Sequence, residues 1–326
     1  MSDVVETTYL DALHQALRAA LREDERVVLL GGDPRAGGRS EASRRLRSEF
    51  GPDRVRDLPL SGSALVGAGI GAAIGGMRPI VELTTVRHAL RALDQLVDLA
   101  AGLLHRSGGQ YAVPLVIRAT TGHGRMVPVQ HRHSLEGWYA HVPGLRLVAP
   151  ATLEDARGML AAALADPDPV LVLEHAGLHD LRGTLDAEAR AVDIDRAAVR
   201  RPGDDITLVA YGGMLGRALE AADVLAADGV SAEVVDLRTL RPLDDLTVVG
   251  SVRRTRRAIV VDEGWRSGSV SAEVAARIQE QAFDQLDAPV ARVCSTEVPV
   301  PYPHHLEAAA LPRATTIADA ARRIVG

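Results

Sequence analysis

The chain has 326 residues, is 47% apolar and carries a formal charge of -6, which allows two domains with substantial cores and gives no electrostatic basis for nonspecific nucleic-acid binding. All 37 basic residues are arginine, so no Schiff-base lysine and no phosphate-loop lysine exists, and Cys294 is the single cysteine, which excludes an internal disulfide and a cysteine-based metal cluster. The polar, acidic N-terminus lacks a signal-peptide pattern and no run of about 18 apolar residues exists to span a membrane, so a cytoplasmic protein is expected.

Thr7 to Glu23 sets Leu10, Leu13, Leu17 and Leu21 on one helical face. Arg26–Gly31 reads as a buried strand, the loop from Gly32 to Gly38 is rich in breakers, and Ser40–Phe50 is a polar helix. A strand at Val55–Asp57 then enters a tight Pro59–Gly62 turn, followed by a helix of small residues from Ser61 to Gly76 and a strand at Ile80–Glu82. Each glycine in that helix costs about 1 kcal/mol against alanine, so close packing against another element is expected to offset it. Val86–Arg106 reads as one long helix, Pro114–Arg118 as a strand, and Ala119–Val129 as a glycine-containing loop. Leu145–Ala149 is a strand, Thr152 with Asp155 caps a helix over Leu153–Ala165, and Pro169–Glu174 is a strand. The pattern weakens from His175 to Pro202, where a domain linker is placed.

A second series starts at Ile206. It has strands at Ile206–Gly212, Ala232–Leu237, Ala258–Asp262 and Val290–Val293, and helices at Met214–Asp228, Asp245–Arg253, Val270–Ala282 and Thr316–Ile324. Near-continuous apolar strands alternating with helices imply parallel sheets covered on both faces, an α/β fold.

Several stretches carry a resemblance. They are Pro59-Leu60-Ser61-Gly62-Ser63-Ala64-Leu65-Val66-Gly67, Arg106-Ser107-Gly108-Gly109, His131 to Gly144, Asp168 to His175, Gly203 to Gly212 and Glu233 to Asp244. Together they resemble the beta subunits of thiamine-diphosphate-dependent 2-oxoacid dehydrogenases, the decarboxylating component, and more distantly the matching region of transketolases. The resemblance implies a pyrimidine-binding-type α/β domain over 1–190 and a transketolase C-terminal-type domain over 203–326. It implies an alpha-like partner chain in an α2β2 assembly, with thiamine diphosphate shared between the chains and magnesium held by the partner. An acyltransferase core is a candidate further partner.

The same resemblance assigns residues. The glutamate that activates the cofactor in the family falls on Gly62, and an acidic position of the Gly32-Asp33 loop falls on Gly32. A glycine cannot hydrogen-bond the pyrimidine ring. Three readings stay open: a weaker push on the tautomer, a substitute water or carboxylate, or loss of ordinary thiamine chemistry with the chain repurposed or structural. Leu60, Gly62, Thr84 and His88 fall on the cofactor wall, with His88 at the position that stacks on the pyrimidine and also a candidate catalytic residue able to donate or accept a proton, against the plainer reading of a partly buried helix-start histidine. His131 falls on the histidine that faces substrate, and histidine suits proton transfer near neutral pH; a loop histidine kept for packing is the alternative. Ala163, Leu164, Asp166 and Asp168 match a loop that holds potassium in some family members, or else form a helix end and turn.

Overall fold

The computed structural model describes residues 4–32, 40–59, 61–124, 133–186 and 192–326. The chain divides into two compact units, Met1–Val127 with Tyr139–Ile194, and Pro128–Trp138 with Asp195–Gly326.

The first unit runs β1 (Val4–Thr8), α1 (Tyr9–Glu23), β2 (Val27–Gly32), α2 (Ser40–Phe50), β3 (Val55–Leu58), α3 (Gly62–Ile74) and β4 (Arg78–Leu83). It continues with α4 (Val86–Leu90), a π-helix at Gln95–Ala101, α5 (Leu103–Arg106) and β5 (Val116–Thr121). After α6 (Glu136–Ala140) come β6 (Arg146–Val148), α7 (Leu153–Ala165), β7 (Val170–His175) and β8 (Arg182–Asp186). Its main strands lie in the order β6-β7-β5-β4-β2-β3 and are all parallel. Leu17 and Leu21 of α1 and Met159 and Leu160 of α7 pack on Leu29, Ile80, Val116 and Val172 of the sheet. On α3, a Cβ at Gly69 would lie 2.7 Å from Val81 Cγ2 and 2.9 Å from Leu115 Cδ1. Glycine there lets the helix backbone lie directly on the neighbouring side chains.

The second unit runs β9 (Ala198–Arg201), β10 (Ile206–Ala210), α8 (Met214–Ala227), β11 (Ala232–Asp236), β12 (Thr239–Arg241) and α9 (Asp245–Thr255). Then follow β13 (Ala258–Trp265), α10 (Val270–Ala282), β14 (Ala291–Ser295), α11 (His304–Ala310) and α12 (Ala314–Val325). Its sheet has the order β14-β13-β10-β11-β9, parallel except for antiparallel β9. Among the described residues no helix is long and apolar enough to cross a membrane.

Both units are therefore α/β, as the alternation of apolar strands and helices predicts. Three local expectations fail. Thr7 does not open the first helix: Val4–Thr8 is a strand paired antiparallel with Arg182–Asp186, and Thr8 caps α1 by accepting from the Asp11 N–H at 3.1 Å. The stretch His175–Pro202, expected to be irregular, holds a 3-10 turn, β8 and β9. Their partners are distant in sequence, so local pattern gives no sign of them. The expected helix Val86–Arg106 is broken into α4, the π-helix and α5. The break falls where α3 takes hold of it: the Ser63 hydroxyl donates to the Arg91 carbonyl at 2.6 Å, drawing that oxygen out of the regular ladder.

Two buried carboxylates hold the second unit's helix starts. Asp262 accepts from the Tyr211 hydroxyl and the Gly264 N–H at 2.7 Å, and from the Ser271 N–H at 2.9 Å. Burial pushes the Asp262 carboxyl up, against these donors, and burial beside Asp262 pushes the Tyr211 phenol well above its ordinary value. Asp244 caps α9, accepting from the Thr247 N–H at 3.2 Å, the Thr247 hydroxyl at 2.6 Å and the Ala197 N–H at 3.0 Å. Burial acts to raise the Asp244 carboxyl, but these donors and Arg196 outweigh it and hold it below the usual range. A carboxyl lowered in the folded state stabilises above its unfolded pKa and loses that contribution as pH falls through the folded value. Asp244→Ala should therefore cost about 1–2 kcal/mol at pH 7, and the gap to wild type should close below about pH 4. Urea unfolding of both proteins across that range checks this; a gap unchanged at low pH contradicts the capping role.

Candidate functional site

In open α/β sheets, ligands bind at the carboxyl ends of the strands. In the first unit those ends carry charge inside the core. Glu82 of β4 is in register with Gly31 of β2 and with Arg118 of β5. The Arg118 guanidinium donates to Glu82 Oε1 and to Glu174 Oε1 of β7, each at 2.6 Å. Its side chain is 4% exposed, that of Glu174 0% and that of Glu82 14%. Burial opposes the arginine's charge, but Glu174 and Glu82 outweigh it and hold the guanidinium above its ordinary pKa. Two carboxylates against one guanidinium leave the cluster anionic if all three are charged. Beside it the Tyr9 ring stacks on His179 at 6.4 Å, and the Tyr9 hydroxyl donates to the Pro150 carbonyl at 2.9 Å.

The sequence-predicted residues divide as follows. Leu60 and His131 lie outside the described residues. Gly62 and His88 are brought into direct contact. An ideal Cβ on Gly62 would lie 2.6 Å from the His88 carbonyl oxygen and 3.6 Å from Ala92 Cβ. Gly62 starts α3 and His88 lies in α4, so two helix backbones meet where the family resemblance places a glutamate. His88 Nδ1 is 3.1 Å from the Thr85 hydroxyl, which fixes the ring at the start of α4. Thr84 is half-buried in the bend between β4 and α4.

The loop after α7 is already served by a cation of the chain's own. Arg78 donates to the Leu164 carbonyl at 3.1 Å and the Asp166 carbonyl at 3.3 Å. Arg146 pairs with Asp166 at 2.8 Å, and the Asp168 N–H donates to Asp166 Oδ1 at 2.9 Å. Burial and the neighbouring Asp166 push the Asp168 carboxyl up. Ala163 lies on the buried face of α7. The Arg78 guanidinium thus already occupies part of the accepting capacity of these carbonyls. Among the described residues no group of His, Cys, Asp and Glu is placed to hold a metal.

Sequence reasoning missed the Glu82–Arg118–Glu174 cluster. Its signal was present: three otherwise apolar stretches each carry a charge, Glu82 after Ile80-Val81, Arg118 after Val116-Ile117 and Glu174 after Leu171-Val172-Leu173. Charges in otherwise buried strands must be paired.

The two sheets, with the first unit's buried Glu82–Arg118–Glu174 cluster and its close α3–α4 crossing, define a two-domain α/β protein. The chain belongs to the transketolase family: "Transketolase, pyrimidine binding domain" matches residues 6–180 and "Transketolase, C-terminal domain" matches 195–317. It is 40% identical over 323 residues to the pyruvate dehydrogenase E1 component subunit beta-2, mitochondrial, of Oryza sativa subsp. japonica, covering 98% of this chain and 86% of that one. It is 38% identical over 325 residues to the pyruvate dehydrogenase E1 component subunit beta of Rhizobium meliloti (strain 1021), covering 99% of this chain and 71% of that one. A solved structure described as "Split gene transketolase, inactive beta4 tetramer" superposes with a TM-score of 0.81 at 23% identity, over 97% of each chain, a likeness of fold.

Two outcomes test this geometry. Gly62→Ala should lower stability by about 1–3 kcal/mol, because a backbone carbonyl cannot move aside as a side chain end can. Gly71→Ala on the same helix, where a new Cβ meets nothing within 4 Å, should be neutral or stabilising by up to about 1 kcal/mol. Equal effects at the two positions, measured by chemical denaturation, would refute the close crossing. Arg118→Met should cost about 3–5 kcal/mol by stranding two buried carboxylates, and adding Glu82→Gln and Glu174→Gln to it should recover part of the loss.

Proposed function

We propose that this chain is the beta-type subunit of a two-chain thiamine-diphosphate enzyme of the 2-oxoacid dehydrogenase kind. The carrying observation is the relation to pyruvate dehydrogenase E1 beta subunits over nearly the whole chain, with both family domains in order. On this reading an alpha-type partner holds the diphosphate and magnesium, and this chain supplies the wall around the pyrimidine ring from Leu60, Thr84 and His88. Thiamine diphosphate, when bound, supplies a carbanion equivalent that attacks the 2-oxo carbon.

At one point the residues do not fit the cofactor. Gly62 brings no carboxylate, and the His88 carbonyl leaves no room for a side chain there. Nearby carboxylates are engaged: Asp57 by Arg47, Glu82 by Arg118, and Asp94 by Gln95 and Ser63. No activation step is therefore derived from position 62. What the chain's own groups offer is orientation by the Thr85-held His88 ring and proton handling by His131. The filled crossing favours a second reading, a subunit that keeps the fold and the partner but has left ordinary thiamine chemistry.

Co-purification with an alpha-type partner and calorimetric titration with thiamine diphosphate tests the first reading. Binding by the pair but not by this chain alone supports it; no binding by the pair sinks it. Turnover of 2-oxoacids with an artificial electron acceptor separates the two readings, since the second expects binding without turnover. Where turnover is found, His131→Ala should lower it by about 10²-fold or more, in line with loss of a positioned proton-transfer group.

A further inference from the structure

The second unit carries a concave groove of about 480 Å³ along its edge strand β14, lined among others by Arg266, Arg292, Cys294, Glu297, Thr316 and Arg323. Its lining is rich in arginine. Arginines elsewhere are commonly paired with carboxylates: Arg18 with Glu49, Arg256 with Asp287, and Arg322 with both Asp228 and Asp319. Arg266, Arg292 and Arg323 have no carboxylate partner among the described residues. Arg266 and Arg292 instead hold each other's backbones. Arg266 Nη1 donates to the Arg292 carbonyl at 3.1 Å, and Arg292 Nη1 donates to the Arg266 carbonyl at 2.8 Å. This arrangement pre-positions two like charges side by side, with part of each guanidinium still unused. Glu297, the one carboxylate of the lining, accepts from the Ser267 N–H at 2.8 Å.

Three guanidiniums against one carboxylate leave the groove with a net charge of about +2 in a chain whose overall charge is -6. Keeping cations together without counter-charges costs Coulomb energy, which a bound anion would relieve. Guanidiniums favour planar, multidentate oxyanions. The volume is in the range of small-molecule sites and well above that of a single ion.

We propose that this groove binds a small multivalent anion, with phosphate or clustered carboxylate groups held by Arg266, Arg292 and Arg323. The site is separate from the strand edge of the first unit and does not depend on the function proposed above.

Calorimetric titration of the full chain at low ionic strength with pyrophosphate, and separately with citrate, tests this. One saturable site with a Kd below about 1 mM is expected, and the tighter of the two anions assigns the head group. Arg323→Gln, which removes a side chain with no protein partner, should weaken binding roughly tenfold without changing thermal stability. Arg322→Gln, one residue along and paired outward, should leave affinity unchanged. Absence of saturable binding of both anions overturns the proposal. So does equal affinity in wild type and Arg323→Gln, or saturable binding of an oligoglutamate peptide with neither small anion bound.

Discussion

Arg118 of β5, held between Glu82 near the carboxyl end of β4 and Glu174 near that of β7, is the constraint on which the arrangement of the first unit's central strands depends. A buried ion cluster of this kind adds little net stability, because desolvation offsets much of the attraction. It is intolerant of displacement, however, since moving any member strands the others. It therefore resists register slip between β4, β5 and β7. Once β4 is fixed at Glu82, the chain exits through Leu83, Thr84 and Thr85 directly into α4. The position of His88 is set by that exit.

The α3–α4 crossing rests on this placement. Gly62 brings no carboxylate to the start of α3. The structure adds that the space has been taken: the His88 carbonyl lies against the glycine, and Ser63 bonds the Arg91 carbonyl one turn on. These contacts repay the poor helix propensity of α3 and also interrupt the helix that follows. The glycine at position 62 is thus built into the packing of two helices. After α7, in the same way, Arg78 places a guanidinium on the backbone carbonyls of Leu164 and Asp166.

The second unit is organised by separate buried acids. Asp262 ties Tyr211, the turn at Gly264 and the start of α10 together, and Asp244 joins the start of α9 to the chain entering at Ala197. With these helix starts satisfied from within the core, the outer rim along β14 is left free to carry unpaired arginines.

The sequence by itself determined the α/β class, nearly every parallel strand and most helices. Those elements are encoded by local period and apolar runs, as at Leu153–Ala165 and Val270–Ala282, whose bounds agree with the structure. It also determined family membership and the glycine at position 62. Tertiary structure alone decided the pairing of Val4–Thr8 with Arg182–Asp186, the break in Val86–Arg106, and the meeting of Gly62 with His88. Each of these depends on a partner far away in the chain, and hydrophobic periodicity reports only on a residue's own neighbourhood. The charged residues Glu82, Arg118 and Glu174 of β4, β5 and β7 were visible as letters, but their joining into one cluster required the sheet order that sets them side by side.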